Sequence, residues 1–146
     1  MKEQLGLLMR SITKLYLVHR KCMLQRCQKC GLYVGQPGIL DFVKKNPGCT
    51  QNEIADELGV SPASIAFSTR RLQASGFLMK QVNSLDMRRN KLYVTAEGAE
   101  ALGKFEKCLE DMDEKMFDGF SEEEIKQLYD ITLRLSDNLG KIVKGE

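Results

Sequence analysis

A chain of 146 residues, 42% apolar and 29% charged, is long enough for one compact domain, or for a small domain with an appended oligomerisation element, and its composition excludes a disordered polymer. Arg10 and Lys14 interrupt the apolar stretch from Leu5 to Leu17, so it is too charged to span a membrane, and it lacks the cleavage site of a secretion signal; a cytoplasmic protein without membrane contact is expected. Of the 22 basic and 20 acidic residues, six basic (Arg70, Arg71, Lys80, Arg88, Arg89, Lys91) and one acidic (Asp86) lie between Gly59 and Thr95, leaving 16 and 19 elsewhere: a positive segment on a slightly negative body, suited to docking on phosphates in one orientation.

The first predicted element is a long amphipathic helix. Leu5, Leu8, Met9, Ile12, Leu15, Tyr16, His19, Cys22 and Met23 recur at steps of three and four and form one apolar stripe. Gly31 and the Gly35-Gln36-Pro37 turn close it. Pro37 fits the first turn of a second helix, whose buried face is Ile39, Leu40 and Val43 and which stops at Asn46-Pro47-Gly48. Thr50 with Glu53 has the spacing of a capping box and opens a short helix, Gln51 to Leu58, burying Ile54, Ala55 and Leu58. After the Gly59-Val60 turn, Ser61 caps a fourth helix with Pro62 at its first position and Ile65 and Leu72 facing inward; Gly76 ends it.

From Phe77 to Thr95 the period changes. Phe77-Leu78-Met79 and Lys91 to Thr95 read as two short strands joined by a polar, basic connection through Asn83, Asp86, Arg88 and Arg89. Two helices follow. One spans roughly Ala96 to Phe117 with Leu102, Phe105, Leu109, Met112 and Met116 at helical spacing. The other opens on a Ser121–Glu124 capping box and carries Ile125, Leu128, Tyr129, Thr132, Leu135, Leu139 and Ile142 on one side.

A short helix, a glycine turn and a second capped helix form a helix-turn-helix unit. Ala55 is small where the two helices cross, Gly59 supplies the left-handed turn, and Ile65 wedges the second helix on the first. The N-terminal half of that second helix then enters the major groove of DNA. The hairpin that follows reads as a wing whose tip carries Arg88 and Arg89 to the minor groove or the backbone.

With these residues in place, nearly the whole chain resembles the multiple-antibiotic-resistance regulator (MarR) family of bacterial repressors. The resemblance runs through Gly31-Leu32-Tyr33-Val34-Gly35-Gln36-Pro37, Leu58-Gly59-Val60-Ser61-Pro62 and Arg71-Leu72 before Gly76-Phe77-Leu78. Its most specific part is the D-x-R…T-x-x-G pattern of Asp86, Arg88, Thr95 and Gly98. The resemblance implies that Arg88 is the minor-groove residue at the wing tip and that Asp86 braces the wing. The chain departs from the family at Phe67, where many members carry Arg, and at Arg70, where Asp is usual. Base readout is therefore expected from Ser61, Ala63, Ser64 and Ser68 with apolar contact from Phe67, supported by Arg70, Arg71, Arg89 and Lys91.

The expected fold is mainly α with a small β-hairpin wing. Residues 31–98 would form a winged helix-turn-helix, flanked by dimerisation helices at 1–30 and 99–146 within a single domain. The terminal apolar stripes exceed what the winged helix covers, which independently points to a C2 homodimer with two recognition helices about one DNA turn apart on a palindromic operator. In the family the terminal helices interleave, and a small phenolic or lipophilic effector binds between them and the winged helix. The expected function is therefore a repressor of transcription, released by a small-molecule or redox signal.

Five cysteines in such a chain argue against a disulfide framework. His19, Cys22, Cys27 and Cys30 cluster near the end of the first helix, and three readings stand for them: inert packing, zinc ligation, or redox sensing, since Arg20, Lys21, Arg26 and Lys29 favour thiolates. Two competing classes follow, a thiol oxidoreductase on Cys27 and Cys30 and a winged helix used only for protein contacts. The first lacks the strand-to-helix context such sites use, and the wing arginines argue against the second. No phosphate loop or Ser/His/Asp arrangement appears, so no enzyme and no cofactor is expected.

Overall fold

The computed structural model describes residues 1–145. Six helices and one hairpin follow in the order α1 (Lys2–Lys29), α2 (Gln36–Lys45), α3 (Gln51–Leu58), α4 (Pro62–Ala74), β1 (Leu78–Gln81), a one-turn 3-10 helix (Met87–Arg89), β2 (Lys91–Val94), α5 (Ala96–Met116) and α6 (Glu122–Lys144). The chain divides into two compact units, Met1 to Leu109 and Glu110 onward.

The first unit has one hydrophobic core. Leu40, Val43, Ile54, Leu72 and Leu92 are fully enclosed, joined by Ile39, Ile65, Leu78, Leu102 and Phe105. Cys27 at the end of α1 and Leu102 and Phe105 in α5 belong to this core, so both flanking helices contribute to the winged helix they border. The expected helix signals carry it locally. Thr50 and Glu53 form the reciprocal capping box, and Ser61 accepts the Ser64 N–H with Pro62 in the first turn. Gly59 adopts φ +62°, the left-handed turn required between α3 and α4.

Strand β1 begins one residue later than the sequence predicts, and α4 is the reason. The Phe77 N–H donates to the Leu72 carbonyl (2.8 Å) and the Gly76 N–H to Gln73 (3.0 Å), with Gly76 at φ +77°. This paired closure of a helix C-terminus engages Phe77 before the ladder starts. The strands then pair antiparallel from Leu78↔Val94 to Gln81↔Lys91. A third segment, unforeseen in the sequence, joins them: Leu92 donates to the Cys49 carbonyl (2.9 Å) and accepts from Gly48 (2.8 Å), bridging the α2–α3 loop to the wing base.

From Lys2 to Lys21 every residue of α1 is exposed, so the predicted stripe from Leu5 to His19 is unpartnered within a single chain, while Cys22 is half-buried and Met23 packs on the core. In the second unit, Phe117 and Phe120 meet edge to face at 6.1 Å around a turn with Gly119 at φ +84°. Ser121 and Glu124 cap α6 as expected, and α6 buries no residue.

Candidate nucleic-acid interface

The outward surface of α4 is set by what its inner surface must do. Ile65 and Leu72 fill the core, while Thr69 donates to the Ile65 carbonyl (2.9 Å) and accepts from Gln51 Nε2 (3.1 Å), tying α4 to α3. Ala63, Ser64, Phe67 and Arg70 are consequently exposed, and Ser68 is half-buried. Ser61 Oγ accepts the Ser64 N–H and donates to Ser64 Oγ (2.9 Å), so Ser61 is occupied as the cap while the Ser64 hydroxyl keeps its proton to donate outward. Phe67, 56% exposed and the one large apolar side chain on the outside of α4, offers the type of apolar surface a thymine methyl takes.

The wing is a latched loop. Asn90, almost fully buried, accepts the Asn83 N–H through Oδ1 (2.8 Å), closing the loop at its neck. Asn83 Oδ1 in turn accepts from the backbone of Leu85 and Asp86 (3.0 and 3.2 Å), and Asp86 Oδ1 accepts the Arg88 N–H (3.0 Å). Asp86 therefore caps the turn that carries Arg88, with a loose 3.8 Å approach to Arg89 Nε. Among the described residues no acid pairs with Arg88 or Lys91; with Arg89 they line the exposed side of the hairpin. In the sequence Asn83 and Asn90 are distinguished only as polar residues of a loop. Each is recognisable as a latch only once the backbone groups it serves are located.

At the base of the wing, Thr95 Oγ1 donates to the Gly76 carbonyl and accepts the Gly98 N–H (2.6 and 3.0 Å), while the Thr95 N–H donates to Phe77. The T-x-x-G spacing thus joins three elements: the end of α4, the start of β1 and the first turn of α5.

Another residue without a predicted role lies beside α4. The Arg71 guanidinium stacks on the Tyr33 ring at 3.4 Å and approaches the Phe67 ring at 5.4 Å. Tyr33 itself is fixed at its backbone, where its N–H donates to Gln36 Oε1 (2.9 Å) and its carbonyl accepts the Gln36 N–H (3.0 Å).

Of the three readings of the thiols, the redox one loses its electrostatic support. Basic neighbours were expected to favour thiolates, but burial pushes the Cys27 thiol up, reinforced by Cys30. Burial likewise raises Cys30, with the adjacent Cys108 adding to the effect and Lys104 and Lys29 only partly opposing it. Desolvation outweighs the lysines because they stay in water while the sulfurs do not. Neither thiol has the lowered pKa that attack on a disulfide favours. Among the described residues no three His, Cys, Asp or Glu side chains gather to hold a metal; His19 is exposed, Cys22 half-buried and Cys27 buried. Cys30 is paired in space with Cys108, a residue that no spacing in the sequence connects to it.

A helix-turn-helix with an exposed second helix and a basic, latched hairpin defines a winged helix DNA-binding regulator. The family described as winged helix-turn-helix DNA-binding matches residues 37–79. The chain is 31% identical over 120 residues to the HTH-type transcriptional regulator BilQ of Clostridioides difficile (strain CD3), covering 73% of this chain and 78% of that protein. It is 29% identical over 108 residues to BilQ of Clostridium symbiosum (strain WAL-14163), covering 74% and 75%. A crystal structure of MarR superposes with a TM-score of 0.69 at 27% identity over 100% of this chain and 95% of that one. Streptococcus pneumoniae FabT, solved in complex with DNA, shares the fold at a TM-score of 0.72 and 22% identity, over 97% and 99%. The chain belongs to the MarR family of transcriptional regulators. No described helix is long and apolar enough to cross a membrane.

Proposed function

We propose that this regulator is a repressor that binds a palindromic operator as a homodimer. The N-terminal half of α4 reads base edges in the major groove through Ser64, Ser68, Ala63 and Phe67, with Ser61 holding the helix end. Arg88 enters the minor groove, and Arg70, Arg71, Arg89 and Lys91 engage the backbone. The observation that carries this reading is the wing: Asn90, Asn83 and Asp86 immobilise a loop whose arginine has no acid to satisfy it among the described residues. A fixed, unpaired cation on an exposed turn is suited to an anionic groove.

Dimerisation rests on area. The chain exposes 11054 Å², whereas a self-sufficient folded chain of its mass exposes about 7,500 Å². Leu5, Leu8, Leu15 and Tyr16 on α1, and Leu128, Leu135, Leu139 and Ile142 on α6, are all at least two-fifths exposed. A second copy of the chain is the partner that covers both helices symmetrically. For release, a small-molecule effector has more support than the thiols. Leu17, Leu24 and Val34 line an open surface groove of about 230 Å³ together with Arg20 and Lys21, an apolar and basic lining of the kind an apolar acid would use.

The test is to select bound fragments from randomised duplex DNA and weigh the complex by light scattering. A two-fold symmetric consensus bound by two chains supports the reading. An asymmetric site bound by one chain overturns it.

A further inference from the structure

Arg71 lies in the last turn of α4, away from the N-terminal residues that face base edges in a recognition helix. It is half-buried, and among the described residues no carboxylate pairs with it. Its planar face rests on Tyr33 at 3.4 Å, and Phe67 approaches at 5.4 Å. A guanidinium stacked in this way spends its faces on the rings and keeps its N–H edge free, in a fixed orientation. The residue that carries this ring is held at its backbone, where Tyr33 and Gln36 exchange two hydrogen bonds, and Leu32 beside it is buried in the core. An immobilised fork of donors without an acid, at the flank of a recognition helix, matches the two oxygens of a phosphate.

We propose that Tyr33 and Phe67 hold Arg71 as a clamp on a DNA backbone phosphate, Arg71 making the contact and Tyr33 acting as its positioning residue. This rests on the DNA-binding reading above. It gives the α1–α2 loop a part in placing α4 along the groove, because the phosphate contact and the ring that aims it belong to different elements. Phe67 then has two duties, a ring face toward Arg71 and its exposed surface toward the bases.

Phosphate contacts are independent of sequence, so the experiment uses a generic duplex of about 30 base pairs, long enough for two half-sites a turn apart. Binding of the wild type, Arg71→Ala, Tyr33→Leu and Tyr33→Phe is measured across a salt series, with thermal melting of each variant. Arg71→Ala is expected to lower the slope of log K against log salt by about 0.9 for each chain bound. Tyr33→Leu is expected to weaken binding roughly 3- to 10-fold and shift the slope the same way, whereas Tyr33→Phe keeps the aromatic face and matches the wild type. A purely structural role would lower melting and affinity without changing the slope. Equal slopes for wild type and Arg71→Ala overturn the clamp, and a Tyr33→Leu variant that binds like wild type removes Tyr33 from it. A wild type that binds no duplex even at low salt overturns the DNA-binding reading as well, which separates the two failures.

Discussion

Gly98 lies against the backbone of Phe77 so closely that a β-carbon on Gly98 would collide with the Phe77 carbonyl. Gly98 is helical, so the requirement is for space and not for an unusual dihedral angle. The obstacle is backbone already committed, since the Phe77 carbonyl accepts the Thr95 N–H (3.1 Å). Gly98→Ala is therefore expected to destabilise the fold by about 1–3 kcal/mol, as overpacking against an immovable neighbour does. Urea denaturation followed by circular dichroism checks it. A variant as stable as the wild type would show that α5 can shift away from β1 without cost. Gly103, on the same helix with open space where a β-carbon would stand, is the control and should accept Ala.

The wing separates reading from bracing. Arg88 is exposed and its side chain supports nothing else, so Arg88→Ala is expected to weaken operator binding by roughly 1–3 kcal/mol with unchanged melting. Asn90→Ala leaves the half-buried Asn83 N–H without its acceptor, at a cost of about 1 kcal/mol, and loosens the loop that aims Arg88. It should lose both DNA affinity and amide-exchange protection at Asn83. Fluorescence anisotropy and hydrogen exchange together distinguish the two. An Asn90→Ala protein with full affinity would mean that the latch does not position the arginine.

Much of this was legible in the sequence because the signals are local. Thr50–Glu53, Ser61-Pro62 and Ser121–Glu124 specify helix starts by side chains that reach only three residues. Gly59 and Gly76 likewise mark backbone conformations that other residues resist. What could not be read depends on partners distant in sequence. Asn83 and Asn90 are ordinary loop residues until the hairpin closes, Tyr33 meets Arg71 only when α2 packs on α4, and Cys30 meets Cys108 only when α5 returns to the end of α1. The thiolate premise of the redox reading misses for the same reason. Basic neighbours are visible in sequence, but burial, which outweighs them, is a property of the whole core.

The buried thiol at the base of the wing predicts a pH dependence. Burial, with some help from the Glu53 carboxylate, pushes Cys49 up to about 11. An unfolded thiol ionises near about 8.5, so between those values the unfolded chain loses the proton while the folded one keeps it. The contribution of this thiol to stability is therefore complete below about 8.5 and is lost as pH rises toward 11. Lysines and tyrosines also titrate there, so the measurement is a difference: the urea midpoint of the wild type minus that of Cys49→Ala, from neutral pH upward. The difference should be constant near neutrality and decline above about pH 9. A flat difference would mean that the thiol ionises as freely in the fold as outside it.

The apolar face of α6 supports the strongest claim about assembly. Leu128 and Leu135 are two turns apart on one side of the helix, 41% and 43% exposed, and α6 buries no residue within its own chain. If a second chain covers this face, Leu128→Asp with Leu135→Asp places two carboxylates in a dry seam, where unpaired charge is far more costly than in water. In the single chain the same carboxylates remain in solvent, so the substitutions should leave helix content intact. Light scattering at low micromolar concentration is expected to show a dimer for the wild type and a monomer for the double variant. DNA binding should fall by about 100-fold or more although no substituted residue belongs to the proposed interface, because two coupled half-site contacts become two independent ones. A double variant that remains dimeric would move the seam off this face of α6. A monomeric wild type would leave the exposed apolar faces of α1 and α6 uncovered and require another partner for both helices.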